Sequence, residues 1–154
     1  MNRRYLPLVI RDCAIEDIPQ VLEIENVSFD DPYLESLFVS FLQRFPKGFR
    51  IAEIIDRLVG YSIILPWKGQ CMIVTSLAVH PDFKRSKIAT SLLEDAVSIA
   101  RKNGMAQIAL QVAVANTAAQ KLYSKFGFVG TRAIRDYYGK GRDGIEMELR
   151  LDRA

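Results

Sequence analysis

A chain of 154 residues in which 49% are hydrophobic is long enough to bury one sizeable core and too short for two comfortable ones. Its formal charge of +3 and pI near 8.9 fall well short of a dedicated nucleic-acid binder, and the cations are scattered among acidic residues, a balance better suited to a small polyanionic ligand. The two cysteines, Cys13 and Cys71, are far apart in apolar neighbourhoods with no metal-ligand spacing, and they read as reduced structural thiols.

Leu8-Val9-Ile10 predicts a short first strand. Pro7 interrupts the apolar patch there and Arg11-Asp12 closes it before a secretory core is complete; nor does any apolar run approach the roughly 18 residues of a membrane span, so a soluble, cytoplasmic protein is expected. Ile15, Ile18, Val21, Leu22 and Ile24 repeat at helical spacing, with Glu16 and Asp17 in the first turn and Pro19 marking the start. The breaker cluster from Ser28 to Tyr33 separates this helix from a second, which carries Leu34, Leu37, Phe38, Phe41, Leu42 and Phe45 and stops at Pro46-Lys47-Gly48. Two short helices so placed suit one wall of a cleft.

Residues 49–55 and 58–65 read as strands around a polar turn at Asp56-Arg57, and Lys68-Gly69-Gln70 turns the chain into the third of an antiparallel run. That third strand, the apolar run from Met72 to Val79, ends at His80-Pro81, because proline cannot continue a central strand. Beyond the cluster Lys84-Arg85-Ser86-Lys87 a helical period sets in: Ile88, Leu92 and Ala96 on one row, Ala89, Leu93 and Val97 on the next, with Gly104 to cap it. Residues 106–114 are strand-like, 116–126 helical with Gly127 as C-cap, and residues 128–134 and 145–151 make two more strands. Ile145, Met147, Leu149 and Leu151 alternate with polar residues there, which predicts that their face is the buried one. The expected architecture is α/β: one domain over residues 1–154, with a mixed, mostly antiparallel sheet of about seven strands flanked by four helices.

Two stretches carry chemistry. Where the strand to Val79 meets the helix from Ile88, unpaired helix amides, the positive dipole end and three cations converge, a place suited to a phosphate; the alternative is a solvated basic loop. In the second, Asn116 is a good N-cap and shares a helical stripe with Ala119 and Tyr123. Taken alone, Tyr123 is more often a packed aromatic than a catalyst.

The first stretch, Lys84-Arg85-Ser86-Lys87-Ile88-Ala89, resembles the acetyl-CoA-binding motif R/Q-x-x-G-x-G/A of the GNAT superfamily of N-acetyltransferases. The second, from Asn116 to Phe128, resembles that family's N-x-x-A-x-x-L-Y-x-x-x-G-F element almost residue for residue. Ile24-Glu25 followed by Ser28-Phe29, the pair Tyr137-Tyr138, and Gly144-Ile145-Glu146-Met147 look most like the protein N-terminal acetyltransferases, the ribosomal-protein-alanine group and its archaeal relatives. The resemblance implies direct acetyl transfer from acetyl-CoA, with no metal, to the α-amine of a protein or peptide, ribosomal or nascent, by a monomer or weak homodimer with no membrane or specific nucleic-acid partner. It implies that Leu77, Ala78 and Val79 hold the pantetheine arm, with the Val79 amide as oxyanion donor. Lys84, Arg85, Ser86, Lys87, Ile88, Ala89 and Thr90 take the pyrophosphate, Asn116 contacts the cofactor, and Tyr123 protonates the departing thiolate. Phe29, Tyr33, Gln111, Tyr137 and Tyr138 fall on the substrate side.

Three positions depart from the family pattern. Lys84 stands for arginine or glutamine, and Lys87 for a glycine. A right-handed first-turn geometry at Lys87 is expected, at little cost; a left-handed one costs about 1–2 kcal/mol. Gln111 occupies a strand position where many relatives have a Glu or His base and cannot take a proton, so Glu25 becomes the first candidate, helped by an α-amine of which roughly a tenth is neutral at pH 7. The lone His80 is read as structural. A small-molecule amine acetyltransferase and an acyl-CoA-binding module with little turnover remain as alternatives.

Overall fold

The computed structural model describes residues 7–84 and 87–151, so the expectations placed on Arg85 and Ser86 lie outside the described residues. In chain order the elements are β1 (Leu8–Asp12), α1 (Ile18–Ser28), α2 (Glu35–Arg44), β2 (Phe49–Ile54), β3 (Arg57–Pro66), β4 (Cys71–Val79), α3 (Ile88–Lys102), β5 (Gln107–Ala113), α4 (Thr117–Phe126), β6 (Val129–Ile134) and β7 (Gly144–Arg150). The seven strands hydrogen-bond in the order β1-β2-β3-β4-β5-β7-β6, the mixed sheet that the element order predicts.

Two compact units divide the chain. The first runs to Leu65 and takes in Thr75–Ile99; the second comprises Pro66–Val74 and everything from Ala100 onward. In the first, β1 and β2, and β2 and β3, pair antiparallel. Its α3 buries both predicted rows: Leu92 and Leu93 have no exposed surface, and Ile88, Ala96 and Val97 follow. Ile88 and Leu92 pack with Ala52, Val59, Val79 and Phe83 in one core cluster. Burying a leucine this fully contributes about 1.5–3 kcal/mol. Around Tyr61 a second, aromatic packing forms: Phe38 meets its ring edge-on at 6.0 Å and Phe49 lies 6.4 Å away.

In the second unit β4 runs parallel to β5, and the pairing covers only Cys71–Val74 against residues 107–110. Strand β5 then pairs antiparallel with β7 over its whole length, and β7 with β6. Gly127 closes α4 in the left-handed conformation at φ 109°, as a C-cap glycine does.

Three local expectations are corrected. The β2–β3 turn is Ile55-Asp56, one residue earlier than Asp56-Arg57, and both residues have positive φ (47° and 60°). A two-residue hairpin loop takes that geometry because its twist matches the flanking strands, and the hairpin accepts a strained, exposed isoleucine to obtain it. The first helix is preceded by a 3-10 turn at Ile15–Asp17, which leaves Ile15 exposed. Asp17 there answers Arg11 at 2.7 Å and accepts the Ala14 amide at 2.7 Å. In β7 the predicted burial is inverted at one position: Glu146 is 4% exposed while Ile145 and Leu149 are only half-buried, because both faces of this strand are covered in part.

Gly48, in the turn between α2 and β2, tests the packing of the first unit. A Cβ there would stand 2.3 Å from the Ile64 carbonyl oxygen and 2.5 Å from Phe45 Cδ1. Backbone cannot yield as a side-chain tip does, so Gly48→Ala is expected to destabilise by about 1–3 kcal/mol. A thermal melt unchanged from wild type would contradict this packing.

Candidate active site

In the first unit, β4 delivers Leu77, Ala78 and Val79 to the turn before α3. Ala78 and Val79 are buried and Leu77 half-buried. The parallel ladder with β5 stops at Val74, so among the described residues the backbone of Leu77–Val79 has no strand partner along that edge. On its other side the chain is held by the His80 amide, which donates to the Val59 carbonyl at 2.8 Å. His80 is structural, as expected: its Nδ1 accepts the Asp82 amide at 3.1 Å and caps the short turn Pro81–Phe83.

Lys84 and Lys87 are exposed, Ile88 is buried, and Ala89 and Thr90 are half-buried. The Lys87 carbonyl accepts the Ser91 amide at 3.0 Å, so Lys87 is the N-cap residue of α3. Its φ is 63°, which corrects the right-handed expectation. The chain enters this helix through a left-handed residue, where a Cβ crowds the following carbonyl; this is the physical reason that glycine suits such a place.

At the C-terminal end of α1, Glu25 is 2% exposed. One carboxylate oxygen, Oε2, accepts a very short hydrogen bond from the Tyr61 hydroxyl, and that hydroxyl lies 3.3 Å from Ser76 Oγ on β4. The other oxygen, Oε1, accepts from the Tyr33 amide at a long 3.5 Å. Burial pushes the Glu25 carboxyl above the usual range, against the opposing pull of Tyr61 and the Tyr33 amide. Burial, with the Glu25 charge beside it, pushes the Tyr61 phenol up as well. Phe29 and Tyr33 follow α1 with 41% and 39% of their surfaces exposed, and the Tyr33 ring stands edge-on to Phe38 and Phe41.

In the second unit Asn116 caps α4 as predicted, its Oδ1 accepting the Ala119 amide at 3.1 Å. Gln120 Nε2 donates to the Ala113 and Val114 carbonyls at 3.0 and 2.8 Å, tying the helix to the end of β5. Tyr123 is half-buried with its ring edge-on to Phe128 at 5.9 Å, and burial pushes its phenol up, so it keeps its proton at neutral pH. Gln111 faces Glu146 across the β5–β7 ladder, with Nε2 3.5 Å from Oε1, while Arg132 Nε on β6 lies 3.4 Å from Oε2. The base position thus holds an amide backed by a buried carboxylate. Tyr137 and Tyr138 sit in the β6–β7 hairpin with rings 4.8 Å apart at 80°; Tyr137 is 47% exposed and Tyr138 half-buried. Gly144 admits them, since a Cβ there would stand 3.1 Å from Tyr137 and 3.2 Å from Tyr138.

Sequence reasoning missed Tyr61, Ser76 and Gln120, and it did not find Glu146 buried. Tyr61 reads as an ordinary strand aromatic; the available signal was the hydroxyl-bearing pairs Tyr61-Ser62 and Thr75-Ser76 inside strands that are mostly apolar. Cys13 and Cys71 are free and buried, and burial pushes the Cys13 thiol up to about 12. Among the described residues no cluster of three or more His, Cys, Asp or Glu side chains is placed to hold a metal, and no helix is long and apolar enough to cross a membrane.

The sheet and its short β4–β5 pairing define an acetyltransferase fold: the crystal structure of Ard1 from Thermoplasma volcanium superposes with a TM-score of 0.91 over 95% of this chain and 99% of that one, at 23% identity. Residues 18–128 match the model of the acetyltransferase (GNAT) family, and the chain belongs to that family. An uncharacterized N-acetyltransferase of Methanocaldococcus jannaschii is 34% identical over 91% of this chain and 90% of its own length. An N-alpha-acetyltransferase of Sulfurisphaera tokodaii is 30% identical over 92% of each. The enzyme is therefore an acyltransferase of the GNAT type.

The left-handed N-cap gives a direct test. Lys87→Gly removes the crowded Cβ and is expected to raise stability by about 1 kcal/mol, or roughly 2–4 °C in Tm, with acetyl-CoA affinity within a few-fold of wild type. A lower Tm in the glycine variant would contradict the left-handed backbone.

Proposed function

We propose that this protein transfers the acetyl group of acetyl-CoA directly to the N-terminal α-amine of proteins or peptides. The observation that carries the reading is the early end of the β4–β5 ladder, which leaves an extended edge at Leu77–Val79 leading straight to the start of α3. An extended backbone edge is the natural partner of the amide-containing pantetheine arm. Beyond it, the first-turn amides of α3 around Ile88, Ala89 and Thr90, with Lys84 and Lys87 beside them, suit the pyrophosphate. The α-amine is favoured as acceptor by the whole-length similarity to a protein named N-alpha-acetyltransferase. Phe29, Tyr33 and Tyr137, exposed, and the half-buried Tyr138 supply aromatic and hydroxyl surface of the kind that holds a peptide backbone.

In the proposed reaction Glu25 takes a proton from the substrate ammonium, and the neutral nitrogen attacks the thioester carbon. The N–C bond forms, the Val79 amide stabilises the oxyanion, the C–S bond breaks as Tyr123 gives its proton to the sulfur, the acylated nitrogen loses its second proton to the tyrosinate directly or through water, and Glu25 releases its proton to solvent. Gln111 contributes as a hydrogen-bonding group on the substrate side, and Asn116 contacts the cofactor. The same reading takes residues 1–154 as one acetyltransferase domain, acting in the cytoplasm on ribosomal or nascent chains as a monomer or weak homodimer.

Incubation with acetyl-CoA and a peptide library of varied first residues, beside simple primary amines, tests the substrate class by mass spectrometry. Acetylation confined to peptide N-termini is expected; turnover of the simple amines alone would overturn it. Tyr123→Phe preserves the packing on Phe128 and is expected to lower kcat by about 10²- to 10⁴-fold with cofactor affinity nearly intact. Full activity in that variant would remove Tyr123 from the acid role.

A further inference from the structure

Burying a carboxylate without a cation is expensive unless hydrogen bonds replace the lost water. Glu25 is such a case, because among the described residues no lysine, arginine or histidine lies within ion-pair distance of it, and its two oxygens are treated unequally. Oε2 takes the very short bond from Tyr61, whose hydroxyl is in turn 3.3 Å from Ser76; among the described residues Oε1 has the long contact with the Tyr33 amide and nothing closer. The phenol cannot swing away, since its ring has no exposed surface and is walled by Phe38 and Phe49.

We propose that Tyr61, backed by Ser76, is a positioning residue that clamps one oxygen of Glu25 and leaves the other turned to the substrate amine. This rests on Glu25 being the base. In the step it serves, the N–H bond of the ammonium breaks and an O–H bond forms on Oε1, while Oε2 stays bonded to Tyr61. The clamp works by charge as well as by direction. A phenol that donates to a carboxylate favours the ionised form, so it holds Glu25 ready to accept a proton in a place whose burial opposes ionisation. Among the described residues the groups facing this carboxylate are the Tyr61 phenol from β3, the Ser76 hydroxyl from β4 behind it, and the Tyr33 amide from the segment before α2.

The sign of the effect follows. Loss of the donor raises the pH at which Glu25 becomes ionised, and a base works only when ionised, so the acid limb of kcat/KM moves to higher pH. A hydrogen bond to a charged group of ordinary strength corresponds to about one to two pH units.

The test measures kcat/KM for an N-terminal peptide from pH 5.5 to 9.5 in wild type, Tyr61→Phe, Ser76→Ala and Glu25→Gln, with Tm for each. Tyr61→Phe keeps the ring and its packing, and is expected to shift the acid limb upward by about one to two units, with activity recovering at the alkaline end. Ser76→Ala, which weakens the support behind the phenol, is expected to shift it in the same direction by less. A limb lost in Glu25→Gln but unmoved in Tyr61→Phe, even with a lowered Tm, overturns the clamp while leaving the base in place. A limb that survives in Glu25→Gln overturns the base assignment and the clamp with it.

Discussion

Parallel pairing between β4 and β5 lasts only from Cys71 to Val74, and most of what is distinctive about the molecule follows from where it stops. A strand that leaves its neighbour carries forward a row of amides and carbonyls that need partners. Toward β3 they are answered, as the His80–Val59 bond shows. On the other edge, among the described residues, Leu77–Val79 has no strand partner. Pro81 then forbids further strand, and the chain turns within eight residues into α3.

Charge in this protein is handled by position more than by amount. The surface balance of +3 says little, whereas two buried carboxylates say a good deal. Glu25 is held by the Tyr61 hydroxyl on one oxygen and by a long contact with the Tyr33 amide on the other, neutral donors that do not cancel its charge. Glu146 is held by Gln111 and by Arg132, and the arginine compensates it. The two arrangements thus differ in kind: one buried carboxylate has neutral donors, the other an amide and a cation.

The lysine at the start of α3 shows how a local rule can be right about cost and wrong about geometry. From sequence, a lysine read as part of the helix's first turn argued for the right-handed backbone that lysine prefers. The tertiary arrangement instead requires φ 63° there, because β4, the turn at Pro81–Phe83 and the buried face of α3 fix both ends of the segment. Strain of about 1–2 kcal/mol is small beside the burial of Ile88, Leu92 and their neighbours, so the core decides. Ile55 repeats the case at the β2–β3 turn.

Patterns of short range were legible in the amino-acid sequence alone: the number and order of strands and helices, the buried rows of α3, the Asn116 and Gly127 caps, the end of β4 at Pro81, and the two motifs that point to the family. Each depends on residues within a turn or two of one another, and there propensity, periodicity and proline or glycine chemistry act directly. The length of the β4–β5 pairing, the bond from Tyr61 to Glu25, 36 positions apart, the burial of Glu146 and the handedness of Lys87 were decided only by tertiary structure. These depend on which strands become neighbours and on how a packed core distributes strain, and neither quantity is a property of any local stretch of chain.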